Sequence, residues 1–196
     1  MFINMGQAYA LNEDGYLYGL GIGDEVADPP QRQAVYLTRV PLPQPGAAND
    51  PVLDYAAYEY FAGLDGDTPR WSASPGDAVP LDGLETMAQG AAMYHKGAGR
   101  YLFLSGLLKA DGTGGLFEAP TPWGPWHLSA TFPAGFIASL IPKGATPTGF
   151  YFTAAGGGGV TYNLNIGRIE MDLTEGMGTS QGDSTTTTVF HPTMSF

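Results

Sequence analysis

Two glutamates in aromatic surroundings are the side chains of this sequence most suited to chemistry. Glu118 precedes a proline-rich corner that holds Trp123 and Trp126, and Glu59 lies between two tyrosines. Hydrolysis of a glycosidic bond uses two carboxyl groups several ångströms apart, one as the proton donor and one as the base or nucleophile. Apolar neighbours penalise a charged carboxylate, which would suit Glu118 to the donor role. We therefore predict Glu118 and Glu59 as the catalytic acids of a sugar-cleaving site.

Each of these acids also has a structural alternative. Glu118 would cap the proline-rich turn by accepting backbone hydrogen bonds, and Glu59 would be a solvated acid at a strand edge. Glu13 or Asp14, next to a predicted turn, is a further acid near a strand end. The residue types alone leave these alternatives open.

Aromatic side chains supply the second part of a sugar site, because their flat faces stack on sugar rings. The candidates for sugar binding are Trp71, Tyr94, Trp123 and Trp126. Their alternative role is packing in the core or at the proline-rich corner. A sugar site therefore depends on which of these rings reach the surface.

Metal chemistry has little support in the sequence. His95, His127 and His191 are far apart, and the chain has no cysteine. A zinc site would need such ligands at close spacing. The segment 65–67 (DGD) lacks the remaining oxygen ligands of a calcium loop, so it predicts a turn. We expect no metal and no cofactor.

The composition favours an all-β domain and narrows the class of ligand. The 196 residues include 29 glycines and 16 prolines, and only 14% of the residues are charged. The formal net charge is −11, with eight lysines and arginines in total. Binding to nucleic acids or anionic membranes is disfavoured because no basic patch is available. A neutral or cationic ligand such as a sugar is compatible with this charge, and no apolar run reaches membrane-spanning length.

Short alternating runs separated by glycine and proline predict about a dozen strands. We predict a loop over residues 73–85 and a polar, threonine-rich tail over 174–196, which would be flexible or would add an edge strand. The predicted strands cover 2–6, 16–21, 34–40, 58–62, 69–72, 88–94, 100–107, 115–118, 126–131, 135–141, 149–154 and 163–173.

A faint recurrence suggests one unit used three times, each an apolar strand followed by a second strand. The paired segments are 18–20 with 36–39, 101–104 with 116–119, and 150–153 with 168–171. A unit that recurs after several tens of residues fits the blades of a β-propeller. We predict a partial propeller of about three four-stranded blades over residues 1–173. Such an arc exposes two sheet faces to water, so we expect a homo-oligomer that covers them, with a sandwich-like rearrangement as the alternative.

An ordered set of motifs resembles the domain of unknown function 4185 family, some members of which are endo-D-arabinanases of glycoside hydrolase family 183. The resemblance implies a five-bladed propeller with a sugar cleft at one end of its central channel, and it favours an extracellular protein. The resemblance covers the C-terminal part of that propeller, so we expect the family's N-terminal blades to be absent. The motifs are VYLTRVP at 35–41, YEYFAGLD at 58–65, PRWS at 69–72, RYL at 100–102, FEAP at 117–120 and WGPW at 123–126.

Two functions are therefore expected. The first is a carbohydrate-active protein that resembles arabinan-cleaving glycoside hydrolases and acts on a polysaccharide or oligosaccharide. The alternative is a non-catalytic protein, either structural or sugar-binding, built from propeller blades. The N-terminus begins in a predicted strand and does not have the charged and apolar regions of a signal peptide.

Overall fold

The protein is all-β, with three antiparallel sheets, as the composition predicts. The computed structural model describes residues 1–23, 33–44, 46, 48–109, 111–133, 136–155, 164–176 and 187–195. Within these ranges the helical elements are single 3-10 turns, at Gln7–Tyr9, Pro51–Leu53, Tyr55–Ala57 and Pro75–Asp77. No helix in the described part of the chain is long and apolar enough to cross a membrane.

The first sheet has five strands and the other two have four each. The strands of the first sheet are β1 (Tyr16–Ile22), β2 (Gln33–Pro41), β3 (Glu59–Asp65), β4 (Thr68–Ser72) and β5 (Pro80–Thr86). Their order is β1-β2-β3-β4, and β5 pairs with the half of β2 that β3 leaves open.

The second and third sheets are meanders in which each strand pairs with the next one in the chain. The second sheet contains β6 (Gly90–His95), β7 (Arg100–Ser105), β8 (Thr113–Ala119) and β9 (His127–Pro133). The third sheet contains β10 (Phe136–Thr146), β11 (Gly149–Ala155), β12 (Leu164–Gly176) and β13 (Thr187–Ser195).

The second sheet lies between the other two and buries both of its faces. Successive strand residues point to opposite faces, so alternate positions of β7 join different cores. Phe103 belongs to the core shared with the first sheet, whereas Leu102 and Leu104 belong to the core shared with the third. All three side chains are fully buried. Burial of each stabilises the fold by roughly 1.5–3 kcal/mol.

The N-terminal segment joins the edge strands of the first two sheets. The Ile3 amide donates to the Tyr18 carbonyl of β1 at 2.8 Å. On the other side, the Asn4 amide donates to the Ala92 carbonyl of β6 at 2.9 Å, and the Tyr94 amide donates back to the Asn4 carbonyl at 2.8 Å. Residues 1–5 therefore lie as a short extended segment between β1 and β6.

Two expectations are settled by the strand boundaries. The predicted loop over 73–85 is wrong, because its last part is β5, in which Leu81 and Leu84 are buried. Gly83 interrupts the alternation there with φ +76°, which hid the strand in the sequence. In the tail, β13 pairs with β12 from Ser195 to Thr187, so the threonine run leads into an edge strand.

The three recurrent segment pairs are hydrogen-bonded neighbours in the structure, as β1–β2, β7–β8 and β11–β12. With residues 1–5 counted beside β1, each pair occupies the second and third places of its sheet. Between the second and third sheets, β6 lies against β10 and β9 lies against β13. The recurrence in the sequence therefore corresponds to a repeated position in the sheets.

Candidate functional site

A cleft between the first two sheets brings carboxylates and aromatic rings together. It has a volume of about 270 Å³ and is bordered on one side by Pro120. We call it the acidic cleft. Its other lining residues are Met5, Leu11, Glu13, Asp14, Tyr94 and Tyr101.

The aromatic wall of the acidic cleft is a pair of tyrosines on neighbouring strands. Tyr94 of β6 is directly opposite Tyr101 of β7. Their ring centroids are 4.9 Å apart, with an interplanar angle of 50°. Both rings are half-buried and pack on the core between the first two sheets. The pair forms a rigid apolar surface with hydroxyl groups at its edge.

The acidic wall is a turn that leads into β1. Gly15 adopts φ +78°, and its amide donates to Asn12 Oδ1 at 2.8 Å. Asp14 Oδ1 accepts from the Tyr16 amide at 3.1 Å, while the Tyr18 hydroxyl donates to Asp14 Oδ2 at 2.5 Å. Burial, and after it the hydrogen bond to Asp14, raises the pKa of Tyr18. Asp14 is thus held by the turn and by β1.

Glu13 has a different status from Asp14. Its side chain is exposed and has no hydrogen bond or ion pair among the described residues. Glu13 lines the same cleft and acts electrostatically on Tyr101. It is therefore the carboxylate of the acidic cleft that is free to accept hydrogen bonds from a ligand.

Tyr101 is a hydrogen-bond donor under ordinary conditions. Burial raises the pKa of Tyr101 to about 12, with smaller contributions from the charge of Asp14, from Tyr94 and from the charge of Glu13. Its hydroxyl consequently keeps its proton throughout the physiological range. The acidic cleft presents acceptors on one wall, and a donor beside an apolar ring surface on the other.

Glu118 lies outside the acidic cleft. It pairs with Leu102 across β7 and β8, and its position in the alternation places it on the face of the second sheet that points to the third. Glu118 Oε2 is 3.1 Å from Arg100 Nε, and its side chain is 13% exposed. The contact has ion-pair distance without hydrogen-bond alignment. Arg100 and Glu118 thus form an ion pair between β7 and β8.

Glu59 also belongs to an ion pair, on the first sheet. Its Oε2 accepts from Arg39 Nε at 2.7 Å. The Arg39 guanidinium lies 4.0 Å from the centroid of the Tyr16 ring and 4.2 Å from that of the Trp71 ring. Arg39 therefore connects a carboxylate to two aromatic rings, an arrangement that stabilises the sheet.

The structure does not bring Glu118 and Glu59 together. Glu59 is on the first sheet, whereas Glu118 points from the second sheet towards the third, so the second sheet separates them. Each is paired with an arginine on an adjacent strand, Arg39 and Arg100. The two acids do not share a cleft in which a glycosidic bond would lie between them.

The predicted stacking residues also have different locations. Trp126 is 2% exposed and its Nε1 donates to the Pro122 carbonyl at 3.3 Å, so its ring is part of the core. Trp71 packs against Tyr18 and Phe61 and contacts Arg39, and Trp123 is half-buried against the same core. Only Tyr94 among the four lines the acidic cleft.

The histidines occupy separate places. His95 is buried between the second and third sheets, His127 is exposed at the start of β9, and His191 is in β13. Within the described ranges, no three side chains of histidine, aspartate or glutamate come close enough to hold a metal ion. The 65–67 segment forms the β3–β4 turn, as its sequence predicts.

Sequence reasoning did not identify Tyr101 as part of a site. The signal was present in its alternation with Phe103, which indicates a face shared with Tyr94 across the hairpin. What could not be read locally is the approach of the residue 12–15 turn to this hairpin. Comparison of the chain with protein-family models, with curated proteins and with solved structures gives no match.

Proposed function

We propose that this chain is a carbohydrate-binding protein that holds its ligand in the acidic cleft. The observation that carries the proposal is the juxtaposition of the Tyr94–Tyr101 ring pair with the unpaired carboxylate of Glu13. A sugar has an apolar ring face and a rim of hydroxyl groups. The tyrosine rings match the face, while Glu13 accepts from hydroxyl groups and Tyr101 donates to a sugar oxygen.

The charge of the protein restricts the class of sugar that it would bind. With a net charge of −11 and carboxylates in the acidic cleft, a polyanionic sugar would be repelled. A neutral saccharide is not repelled in this way. The resemblance of the chain to arabinan-cleaving proteins makes oligosaccharides of arabinofuranose the first ligands to test.

The geometry favours binding without cleavage. Hydrolysis needs a proton donor and a second carboxylate on opposite sides of one bond. Glu118 and Glu59 lie on different sheets, and each forms an ion pair with an arginine. Glu13 and Asp14 are adjacent on a single turn, so they cannot lie on opposite sides of one bond. If the protein does cleave arabinans, release of sugar that is lost in Glu118→Gln would support the hydrolase instead.

We propose further that the three sheets are successive blades of a propeller-like arc. Support comes from the meander order of the second and third sheets and from the contact of β6 with β10. In such an arc residues 1–5, β6 and β10 are the inner strands. The acidic cleft then lies where two inner strands end, the place where the resemblance implies a sugar cleft.

The experiment is a calorimetric titration of the purified protein with arabino-oligosaccharides. Glu13→Gln removes the charge of the free carboxylate and is expected to weaken binding about tenfold, the loss of a charged hydrogen bond. Glu85→Gln is the matched control, because Glu85 is an exposed acid of β5 away from the cleft. Equal affinities of the two variants, or no binding of any sugar, would contradict the proposal.

A second candidate function, assembly, is favoured by the outer face of the third sheet. Leu164 and Ile166 of β12 are 70% and 60% exposed there, beside Tyr151 of β11. Elsewhere in the chain, the apolar faces of neighbouring sheets are buried against one another. We propose that a second copy of the chain covers this face. Size-exclusion chromatography with light scattering tests it, and a single monomeric species would exclude it.

A further inference from the structure

A second cavity adjoins the acidic cleft. It has a volume of about 490 Å³ and lies between the turn that joins β6 to β7 and the β10–β11 hairpin. Its lining includes the buried His95 and the exposed Lys96, Ala145 and Thr146. We call it the His95 cavity.

Leu11 and Tyr94 line both the His95 cavity and the acidic cleft. The two spaces are therefore neighbours across these two side chains. We infer that they form one groove that binds an oligosaccharide of at least three units, with Tyr94 at its centre. This inference rests on the proposed function, and it extends the ligand from a single sugar to an oligosaccharide.

His95 fixes one wall of the His95 cavity. His95 is 3% exposed, and its Nδ1 accepts from the Ala98 amide at 3.1 Å, so the proton is on Nε2. Nε2 is buried without a well-aligned partner within the described residues, and backbone groups of Gly149 and Thr146 act on the pKa of His95 as hydrogen-bond partners. His95 therefore belongs to the wall against which the β10–β11 hairpin packs, and the exposed cation of the cavity is Lys96.

Lys96 adds an exposed cation to the same cavity. No acidic partner for it is present among the described residues. The His95 cavity thus offers the Lys96 ammonium as a donor, whereas the acidic cleft offers carboxylate acceptors. Sugar hydroxyl groups both donate and accept, so one neutral chain can satisfy both ends of the groove.

The volumes of the two spaces are consistent with an oligosaccharide ligand. Cavities that bind small ligands usually have about 300–1,000 Å³. The acidic cleft alone, at about 270 Å³, is just below this range, and the His95 cavity, at about 490 Å³, is within it. A groove that joins them has room for several sugar units.

The test is a series of calorimetric titrations with arabinofuranose ligands of one to five units. Affinity is expected to rise at least tenfold from one unit to three or more. Ala145→Tyr places a ring in the His95 cavity from an exposed position and should abolish this gain without changing the affinity for the single sugar. Ala73→Tyr, exposed on another part of the protein, is the control.

Lys96→Gln is a second variant that leaves the cavity volume nearly unchanged. It should lower the affinity for the longer ligands threefold or more, and leave the affinity for the single sugar unchanged. Circular dichroism verifies that each variant is folded. An affinity that does not depend on length, or an Ala145→Tyr protein that binds long and short ligands like the wild type, would overturn the groove but not the cleft. Absence of binding at every length would overturn both.

Discussion

Arg39 and Glu59 are directly opposite each other on β2 and β3, and Arg39 Nε donates to Glu59 Oε2 at 2.7 Å. The guanidinium is at the same time in contact with the rings of Tyr16 and Trp71. One arginine thus connects β1, β2, β3 and β4 at one end of the first sheet. This relationship explains Glu59 as part of the fold.

The first prediction concerns this arginine. Arg39→Ala should lower the free energy of unfolding by about 1–3 kcal/mol, because it removes two ring contacts and an ion pair. Arg39→Lys keeps the charge but loses the planar stacking, and should be intermediate. Glu59→Gln should cost less than about 1 kcal/mol. Urea unfolding measures all three, and a lysine variant as stable as the wild type would show that the ring contacts contribute nothing.

Strands with a clear apolar pattern could be predicted from the sequence. β2 alternates between apolar and polar residues and β7 is a continuous apolar run, and both strands were found where these local patterns indicated. β5 was missed because Gly83 breaks the alternation between Leu81 and Leu84. A glycine of positive φ can therefore hide a strand, as Gly83 does in β5.

The candidate site could be predicted only in part, because it depends on contacts between distant segments. Tyr94 was identified as an aromatic candidate, but its meeting with Glu13 needs the first and second sheets to stack. The arginine partners of Glu59 and Glu118 depend on strand register, which a single sequence does not determine. Residue types therefore indicated sugar chemistry, whereas the positions of the acids came from the sheets.

The second prediction compares two glycines with nearly equal backbone angles. Gly83 has φ +76° and Gly15 has φ +78°. A Cβ on Gly83 would be 2.0 Å from the Trp126 carbonyl oxygen, whereas a Cβ on Gly15 would meet nothing within 4 Å. Gly15→Ala should cost about 1–2 kcal/mol from strain alone, and Gly83→Ala more than about 3 kcal/mol. Equal losses in urea unfolding would refute the close approach of β5 to Trp126.

The third prediction is a pH dependence of stability through His95. Burial lowers the pKa of His95 below its ordinary value of 6.5. The unfolded chain therefore binds a proton that the folded protein does not, and the free energy of unfolding falls as the pH drops from about 6.5 towards the folded pKa. Above about pH 6.5 the contribution of His95 is constant.

Urea unfolding at a series of pH values between 8 and 5 measures this dependence. His95→Gln should have a shallower decline than the wild type, and His127→Gln, which changes an exposed histidine, should decline like the wild type. If His95→Gln keeps the full slope, the decline belongs to carboxylates instead of to His95.

The fourth prediction concerns the hydroxyl of Tyr101. Tyr101→Phe removes one hydrogen-bond donor from the acidic cleft, which should weaken sugar binding about 3- to 10-fold. Because the pKa of Tyr101 is about 12, wild-type affinity should not change between pH 7 and pH 9 through this group. Tyr151→Phe, on the outer face of the third sheet, is the control. An unchanged affinity in Tyr101→Phe would place the sugar elsewhere.

The last prediction separates a structural role of Glu118 from a catalytic one. Its Oε2 is 3.1 Å from Arg100 Nε in a mostly buried setting, so Glu118→Gln leaves a buried guanidinium without its counter-charge. This should lower the free energy of unfolding by about 1–3 kcal/mol. The double variant Glu118→Gln with Arg100→Gln should be less destabilised than the sum of the two single variants, because neither charge is then left alone. Additive losses would show that the two side chains do not interact, and Glu118 would again be available for a catalytic role.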